Sequence, residues 1–333
     1  MTRLNGPVGI IVNPASGKDI RRLVARASVF DNQEKKAIVR RAITGAIAAG
    51  AREFRYVADT HGITRSALEE VSSEVVAESV ASARSASALD TIDGAAALKR
   101  ANCAVVITLG GDGTNRAFVR GWRDAPMIAI STGTNNVFPT LIEATVAGAA
   151  AGLVSRGAIA LDAVARQAKL IHVEIEGEAD DVALIDAVVT SERFVGARAL
   201  LDSHHWQHAL VTRAEPSAVG VSAVAGLLKP ICDSRDEALC IDFGPGARKL
   251  NAPIAPGLYQ SVNVTDYRTV ELGENVQFAG PGVLALDGER ERGLKPGQIA
   301  TLRVLRDGPW VIDVEKALNL AAQCRLFDAE ELE

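Results

Sequence analysis

The sequence predicts an α/β fold in which an open, mostly parallel three-layer sheet domain is followed by an antiparallel, β-rich, sandwich-like domain. Three observations predict it. Over residues 1–157, apolar strands alternate with helical stretches, the pattern of a parallel sheet covered on both faces. Over residues 158–309, short strand-like stretches are separated by Gly, Pro and Asp turns, as in antiparallel sheets. Residues 310–333 contain one more strand and helix, so we expect the C-terminus to return to the first domain.

The strands of the first half are predicted from apolar runs, because strands buried on both faces lose the alternation of apolar and polar residues. In chain order we predict strand 8–12, a helix starting over 18–26, helix 34–49, strand 52–57, a long helix over 63–83, helix 91–100, strand 104–107, strand 127–131 and an Ala-rich helix over 139–156. Gly50 is expected at the C′ position that ends helix 34–49, where a left-handed residue often closes a helix.

The second half is predicted from shorter stretches. The strand-like segments are 168–176, 182–190, 208–213, 237–243, 259–265, 268–272, 276–286 and 299–305. Apolar and polar residues alternate towards the end of 169–176, which is typical of a half-exposed strand. Strand 310–314 and helix 315–324 then complete the predicted return of the chain.

Length and composition bound the function. At 333 residues the chain exceeds the usual size of one domain, so two are expected. The net charge is −5 without a basic tail, so we expect no nucleic-acid partner, because duplex binding needs a concentrated positive face. The longest small, apolar run, 144–154, is too short to span a bilayer, and no membrane partner is expected. The four cysteines lack a CxxC pair and are expected to be reduced thiols in a cytoplasmic protein.

The most informative stretch is Gly110-Gly111-Asp112-Gly113-Thr114, between strand 104–107 and a helix that we expect to begin near Arg116. Its glycines let the backbone turn sharply and leave no Cβ atoms to block a ligand. The free N–H groups and positive end of the following helix form a ready phosphate site. A carboxylate beside phosphates is repelled unless it binds a metal ion, takes a proton or orients a hydroxyl. Asp112 therefore makes this stretch indicative of phosphoryl transfer.

Two more strand-to-helix loops have unusual compositions. Asn13-Pro14-Ala15-Ser16-Gly17-Lys18 suits nucleotide phosphates, although Asp19 and Val12 exclude a Walker A loop. The loop 132–136, Thr-Gly-Thr-Asn-Asn, offers small and amide side chains that suit ribose hydroxyls, base edges or a phosphate oxygen. An ordinary helix-capping loop is the alternative. If the three preceding strands are parallel neighbours, the loops gather at one edge of the sheet and face a cleft between the domains.

Three further segments carry candidate site residues. Asp287-Gly288-Glu289 places two carboxylates across a tight turn, although alone it is typical of an Asp-Gly hairpin. Ser191-Glu192 follows an apolar strand and could reach the cleft, with an exposed strand end as the alternative. His204 and His208 would share one face of a helix as metal ligands do, but no third ligand at a suitable spacing accompanies them.

These motifs resemble those of the superfamily of NAD kinases and diacylglycerol or sphingosine lipid kinases. The resemblance rests on the Gly-Gly-Asp-Gly-Thr stretch at 110–114, the Asn-Pro-x-Ser-Gly-Lys loop at 13–18 and the Asp-Gly-Glu turn at 287–289. Within the superfamily, Gly-Thr-Asn-Asn-Val-Phe-Pro at 133–139 is most similar to the ATP-NAD kinase-like proteins of acetoin catabolism clusters, the AcoX family. True NAD kinases carry a Gly-x-Asn-x-Gly-x-x-Gly-Phe loop at this place.

The resemblance implies an α/β nucleotide-binding domain (1–157 with 310–333), a β-rich substrate domain (158–309) and an active site between them. It implies ATP and Mg²⁺ as cofactors, a small-molecule acceptor and a homo-oligomer. The roles in ATP binding would fall on Asn13, Ser16, Gly17, Lys18, Gly111, Gly113 and Thr114. From the loops themselves we add Gly110, Thr134, Asn135 and Asn136.

The resemblance also implies roles for acidic residues. Asp112 would help to bind the metal or activate the acceptor hydroxyl, and Asp287 and Glu289 would lie near the transferred phosphate. Ser191 and Glu192 stand nearest to the Asn-Glu pair with which NAD kinases contact the dinucleotide, so they are the candidate substrate residues.

We therefore expect an ATP- and Mg²⁺-dependent kinase in which Asp112 accepts or directs the proton of the acceptor hydroxyl, with Glu289 as its rival. The alternative is a nucleotide- or metabolite-binding regulator that keeps the fold and lacks catalysis. A dehydrogenase is disfavoured, because Arg116 occupies the third Gly position of a dinucleotide fingerprint. The acceptor is left open among NAD, a small diol or hydroxyketone, and a lipid.

Overall fold

The computed structural model describes residues 5–17, 31–71, 75–85, 87–133, 136–191 and 202–328, without the side chains of Ala247 and residues 289–291. The helix predicted to start over 18–26 lies outside these residues.

A seven-stranded sheet forms the centre of the first half. Its strands are β1 (Val8–Val12), β2 (Glu53–Ala58), β3 (Val76–Ser82), β4 (Val105–Gly110), β5 (Pro126–Ser131), β6 (Ala165–Gln167) and β17 (Trp310–Ile312). They lie in the order β3-β2-β1-β4-β5-β17-β6; β6 is antiparallel to β17, and the other pairs are parallel. Because β17 pairs with β5, the C-terminal part of the chain returns to the first sheet, as predicted.

Helices cover both faces of this sheet. They are α1 (Asn32–Ala48), α2 (Ile63–Glu69), α3 (Ala88–Arg100), α4 (Asp112–Gly121), α5 (Ala144–Ser155), α6 (Leu161–Val164) and α8 (Val314–Gln323). On β1, Ile10 and Val12 belong to the core formed with α1 and α5, whereas Ile11 packs with Leu98 of α3 and Phe118 of α4. The alternation of sides along a strand thus produces the predicted three layers.

Helix α1 shows how local sequence sets an element. Asp31 is its N-cap, and the Asp31 carboxylate accepts a hydrogen bond of 2.7 Å from the N–H of Glu34. At the other end Gly50 has a φ of +95°, a left-handed conformation that favours glycine. The predicted helix and its predicted glycine terminus are both confirmed.

The long helix predicted over 63–83 is wrong. Helix α2 ends at Glu69, and Val76–Ser82 is strand β3, which pairs in parallel with β2. Strand β3 lies at the edge of the sheet and is mostly exposed, so its sequence lacks the apolar run that marks the central strands. Backbone pairing with β2 therefore decides the structure of this segment, and local propensity does not.

Two helices begin elsewhere than predicted. Helix α4 begins at Asp112 and not near Arg116, because Gly111 adopts the extended backbone of an N-cap (φ −102°, ψ −169°). Helix α5 begins at Ala144 and not at 139, because the Glu143 carboxylate accepts a hydrogen bond of 2.7 Å from the N–H of Thr145 and caps the helix there.

Two antiparallel sheets form most of the second half. Their strands are β7 (Leu170–Ile175), β8 (Asp181–Ala183), β9 (Asp186–Thr190), β10 (Trp206–Val211), β11 (Glu237–Ala255), β12 (Leu258–Glu271), β13 (Asn275–Ala279), β14 (Gly282–Leu286), β15 (Glu289–Leu294) and β16 (Ile299–Leu305). One sheet has the order β12-β11-β10-β9-β14-β15 and the other β13-β16-β7-β8. Val173 and Leu302 of the smaller sheet share a core with Val189 and Leu284 of the larger one, which confirms the sandwich.

Several boundaries in the second half differ from the prediction. Segments 182–190 and 276–286 each contain two strands, whereas 259–265 and 268–272 form the single strand β12. Strand β15 was not predicted. Helix α7 (Val221–Leu228) packs on the other face of the larger sheet. Register and edge position, which a lone sequence does not encode, decide these boundaries.

A buried ion network joins the two halves. Arg116 Nη2 lies 2.8 Å from Asp181 Oδ2, and Arg116 Nε donates to the carbonyl of Val182 at 2.6 Å. Arg292 and Arg120 contact the same carboxylate at 3.2 and 3.4 Å. Burial opposes ionisation of Asp181, but the arginines and the N–H of Val182 together lower the pKa of its carboxyl. The network fixes α4 against β8.

Candidate active site

The three unusual loops meet at the carboxyl edge of the first sheet, because β1, β4 and β5 are parallel neighbours. Asn13 Nδ2 donates to Thr114 Oγ1 at 2.8 Å, which joins the first loop to the second. The hydroxyls of Ser16 and Thr132 lie 2.8 Å apart, which joins the first loop to the third. The N–H of Thr132 donates to the carbonyl of Gly110 at 3.1 Å. One connected surface results from three distant segments of the sequence.

The first loop is shaped by its own side chains. The side-chain oxygen of Asn13 accepts a hydrogen bond of 2.9 Å from the N–H of Ala15, and Ser16 Oγ donates to the carbonyl of Asn13 at 2.9 Å. Gly17 has a φ of +72°, which favours glycine. Lys18, which was predicted to bind phosphate, lies outside the described residues.

The Gly-Gly-Asp-Gly-Thr stretch forms the start of α4. The first N–H of α4 bonded within the helix is that of Asn115, to the carbonyl of Gly111, so the N–H groups of 112–114 are not used in the helical ladder. These N–H groups and the helix dipole make this end electropositive. A Cβ at Gly110 would lie 2.5 Å from Thr114 Cβ, so Thr114 packs on a bare backbone.

Asp112 is tied to the residues directly after the third loop (132–136). Its carboxylate accepts hydrogen bonds from the N–H of Val137 (3.1 and 3.2 Å) and of Phe138 (2.9 Å). Arg213 holds the same segment from the second half: its Nη1 donates to the carbonyl of Val137 at 3.4 Å, and its guanidinium lies over the ring of Phe138. The Asp112 carboxylate is therefore fixed in orientation beside the open end of α4.

The side chain of Asn136 fills the space beside Gly111 of the second loop and Gly133 of the third loop. A Cβ at Gly111 would lie 2.8 Å from Asn136 Oδ1, and a Cβ at Gly133 would lie 2.5 Å from the same atom. Asn136 Nδ2 donates to Ser131 Oγ at 2.6 Å. These contacts hold the amide in place beside α4. The neighbouring candidates Thr134 and Asn135 lie outside the described residues.

Asp287 occupies the turn between β14 and β15. Asp287 and Gly288 both have positive φ, +50° and +76°, as a type I′ hairpin requires. The buried Asp287 carboxylate accepts hydrogen bonds from the N–H groups of Leu184 (2.9 Å), Ile185 (2.7 Å) and Asp186 (3.2 Å). Burial raises the pKa of Asp287 to about 6, although Arg116 and these N–H groups act in the opposite direction.

Of the candidate residues Glu289, Ser191 and Glu192, the structure describes the side chain of Ser191 alone. Glu289 begins strand β15, and its side chain lies outside the described part. Ser191, directly after β9, is hydrogen-bonded to His205, whose Nδ1 lies 3.2 Å from Ser191 Oγ. Glu192 lies outside the described residues.

A cleft at the junction of the two halves connects these features. Its lining comprises Asp112, Val137, Asp186, Trp206, Val219, Gly220, Val221, Ile254, Asp287 and Gly288. Residues from both halves therefore face one space, as expected of a site between domains. Three of these residues are acidic, and the described lining contains no basic side chain.

The histidines do not form the metal site considered above. Ser203–His205 is a single 3₁₀ turn, and strand β10 follows at once, so His204 and His208 share no helix face. Within the described ranges, no group of three or more His, Cys, Asp or Glu side chains could enclose a metal ion. The carboxylates at the cleft nevertheless suit Mg²⁺, because an Mg²⁺ ion that is bound mainly by phosphates needs only one or two carboxylates from the protein. Asp112 would supply one.

Several site residues were missed by sequence reasoning. Asp186 and Trp206 are isolated in the sequence and reach the cleft only through strand pairing. Arg213, in the segment after β10, does not line the cleft but donates to the carbonyl of Val137, which does. Lys35 carried a usable signal. It lies three and four residues before the buried Ile38 and Val39 of α1, so its spacing places a charge on the apolar face.

The chain is similar to known proteins in both of its halves. The ATP-NAD kinase N-terminal domain matches residues 8–159, and the acetoin catabolism protein X C-terminal domain matches residues 169–307. The structure of yeast NADH kinase complexed with NADH is similar in fold, with a TM-score of 0.54 at 12% identity over 99% of this chain and 89% of that chain. A diacylglycerol kinase from Bacillus anthracis str. Sterne has a TM-score of 0.47 at 12% identity over 94% of this chain and 98% of that chain.

A curated relative defines the family more narrowly. Acetoin catabolism protein X from Cupriavidus necator is 34% identical over 335 aligned positions, which cover 96% of this chain and 93% of that protein. The resemblance deduced from the loops is thereby confirmed, and the chain belongs to the acetoin catabolism protein X family, whose first half has the NAD kinase fold.

Proposed function

We propose that the protein is an ATP-dependent phosphotransferase that phosphorylates a hydroxyl group of a small molecule. The observation that carries the proposal is the open N-terminus of α4 with the fixed carboxylate of Asp112 beside it, at the edge where three loops meet. Phosphoryl transfer depends mainly on positioning and on stabilising charge, and this arrangement offers both. The matches to the NAD kinase fold and to its N-terminal domain support it.

In the proposed reaction the N–H groups at the start of α4 bind phosphate oxygens. Asp112 directs or accepts the proton of the acceptor hydroxyl, and the hydrogen bonds from Val137 and Phe138 keep its carboxylate in one orientation. Mg²⁺, when bound through the phosphates and Asp112, would offset the negative charge that otherwise repels this carboxylate. Because Glu289 begins the strand after Asp287, it remains the rival base that we propose to test beside Asp112.

The cleft supports an uncharged acceptor. Its described lining carries Asp112, Asp186 and Asp287 and no lysine, arginine or histidine. Carboxylates close together in a partly buried site repel a second anion. We therefore favour a small diol or hydroxyketone over NAD as the acceptor, although NADH occupies the structurally similar yeast enzyme.

One observation favours a second function, a nucleotide- or metabolite-binding regulator without catalysis. The carboxylates of Asp112 and Asp287 each accept hydrogen bonds from at least two backbone N–H groups. Such contacts are sufficient to explain both residues as supports of the loops. Both functions require nucleotide binding, so only phosphoryl transfer separates them.

Nucleotide binding is tested by titration calorimetry with ATP and Mg²⁺ on the wild type and Gly111→Ala. We expect Gly111→Ala to bind about tenfold more weakly, because its methyl group forces the packed Asn136 amide to move and such overpacking costs about 1–3 kcal/mol. Gly293→Ala is the matched control: no atom of the described part of the chain lies within 4 Å of the added Cβ, and its affinity is expected to equal that of the wild type. Equal affinity of Gly111→Ala and the wild type would place the nucleotide elsewhere.

A further inference from the structure

Lys35 is a buried lysine behind the first loop. Its side chain has no solvent exposure. Its Nζ donates to three backbone carbonyls of that loop: Ser16 at 2.7 Å, Pro14 at 2.8 Å and Asn13 at 3.2 Å. An ammonium group has three N–H donors, so the carbonyls of the loop match its full donor capacity.

The position of Lys35 is unfavourable for a lysine unless these contacts exist. It lies in the first turn of α1, where the helix dipole is positive and an acidic residue such as the neighbouring Glu34 is favoured. Burial of a charge without partners is also strongly disfavoured. Nothing in the packing of α1 itself requires an ammonium at this place, because Ile38, Val39 and Ala42 on the same face are apolar. The three loop carbonyls help to compensate the charge.

The contacts with Lys35 determine which way the first loop faces. A trans peptide places its N–H opposite its C=O, so the N–H groups of Ala15 and Gly17 point away from Lys35. The N–H of Ala15 is bonded to Asn13 Oδ1 and that of Ser16 to the carbonyl of Asn13, so Gly17 supplies the N–H that faces a ligand. On the other side of the loop, Asn13 contacts Thr114 and Ser16 contacts Thr132. Lys35 therefore holds the loop through its backbone carbonyls, while the side chains of the loop contact the other two loops.

We propose that Lys35 is a positioning residue for the nucleotide site: its ammonium holds the carbonyl oxygens of loop 13–17 away from phosphate, in the shape that presents the N–H of Gly17 to it. Its effect on nucleotide affinity rests on the proposed function, whereas its effect on the loop does not. The positive charge of Lys35 also lies behind a loop that would carry anionic phosphate, which strengthens the same interaction.

The experiment compares Lys35→Met and Lys35→Gln with Lys169→Met. Lys169 is the matched control, because it is 1% exposed and its Nζ likewise donates to a backbone carbonyl, that of Glu237 at 2.8 Å in the second half. Amide hydrogen exchange of peptides covering 13–17 is measured without nucleotide, and ATP affinity is measured by calorimetry with Mg²⁺. Thermal unfolding of all variants reports the global cost of removing a buried ammonium.

We expect Lys35→Met to exchange faster in 13–17 and to bind ATP about tenfold more weakly, the effect of losing hydrogen bonds to a charged group. Lys35→Gln, which keeps N–H donors without the charge, is expected to lie between Lys35→Met and the wild type. Lys169→Met is expected to change neither quantity, although it also lowers the unfolding temperature.

Unchanged exchange in 13–17 in Lys35→Met would overturn the inference, as would equal acceleration in Lys169→Met. If Lys35→Met does not fold, exchange and ATP affinity in Lys35→Gln decide the matter in the same way. If the wild type binds no ATP, the proposed function fails, while the exchange experiment still decides whether Lys35 shapes the loop.

Discussion

Asp112→Asn is expected to lower kcat for phosphoryl transfer by a factor of about 10²–10⁴, the usual contribution of a general base. The carbonyl oxygen of the new amide can take the place of Oδ1, which accepts from both Val137 and Phe138, so the third loop keeps its support. What disappears is the negative charge and the capacity to accept a proton. The measurement is the steady-state rate at saturating ATP, together with the ATP dissociation constant and the unfolding temperature, both of which are expected to change little.

Asp112→Ala separates chemistry from support. It removes the charge and the hydrogen bonds from the N–H groups of Val137 and Phe138, so we expect it to lose activity and also to loosen 136–138. Glu289→Gln tests the rival base. Near-normal turnover in Asp112→Asn would refute the catalytic role of Asp112 and leave it as a support of the loop.

Arg116→Met is expected to lower the free energy of unfolding by about 3 kcal/mol, because it leaves the buried Asp181 carboxylate without its closest cationic partner. Arg292 and Arg120 still contact Asp181 in this variant. We therefore expect a loss of stability at the lower end of the range of about 3–5 kcal/mol that is typical of breaking a buried ion pair. Chemical denaturation at pH 7 measures the effect. Because α4 carries both Arg116 and Asp112, ATP affinity is also expected to fall.

The pH dependence of the same pair has a defined sign. The pKa of Asp181 is lowered in the folded protein, so its contribution to stability is present above the ordinary Asp pKa of about 3.9 and is lost as the pH falls through the folded value. The stability difference between wild type and Arg116→Met should therefore shrink in acid. Arg65→Met, which removes an exposed pair with Glu69, is the control and is expected to change stability very little. Equal losses in the two variants would contradict the role given to the buried network.

The central strands and their loops could be predicted because buried parallel strands carry unbroken apolar runs that end in recognisable turns. Val105–Gly110 runs into the glycines, and Val8–Val12 runs into Asn13, so the positions of two loops followed from composition alone. The loops meet only if β1, β4 and β5 are neighbours in the sheet. The sequence does not determine this, and the observed strand order shows that they are.

Edge strands and cross-strand contacts could not be predicted in this way. Val76–Ser82 is largely exposed and was mistaken for helix, since only pairing with β2 makes it a strand. The presence of Asp186 in the cleft depends on the register in which β9 pairs with β14, where a shift of one residue would turn every side chain to the other face. No single-sequence pattern carries that information.

No helix in the described ranges combines the length and the apolar character that crossing a bilayer requires.

The most direct test of the proposed function is transfer of the γ-phosphoryl group. ATP labelled at that position is incubated with the wild-type protein, Mg²⁺ and, separately, a small diol, a hydroxyketone, NAD, NADH and diacylglycerol, and labelled organic products are separated from inorganic phosphate. We predict a labelled ester of an uncharged small acceptor that does not form with Asp112→Asn. Tight binding of ATP with no labelled product from any of these acceptors would contradict the phosphotransferase and favour the nucleotide-binding regulator.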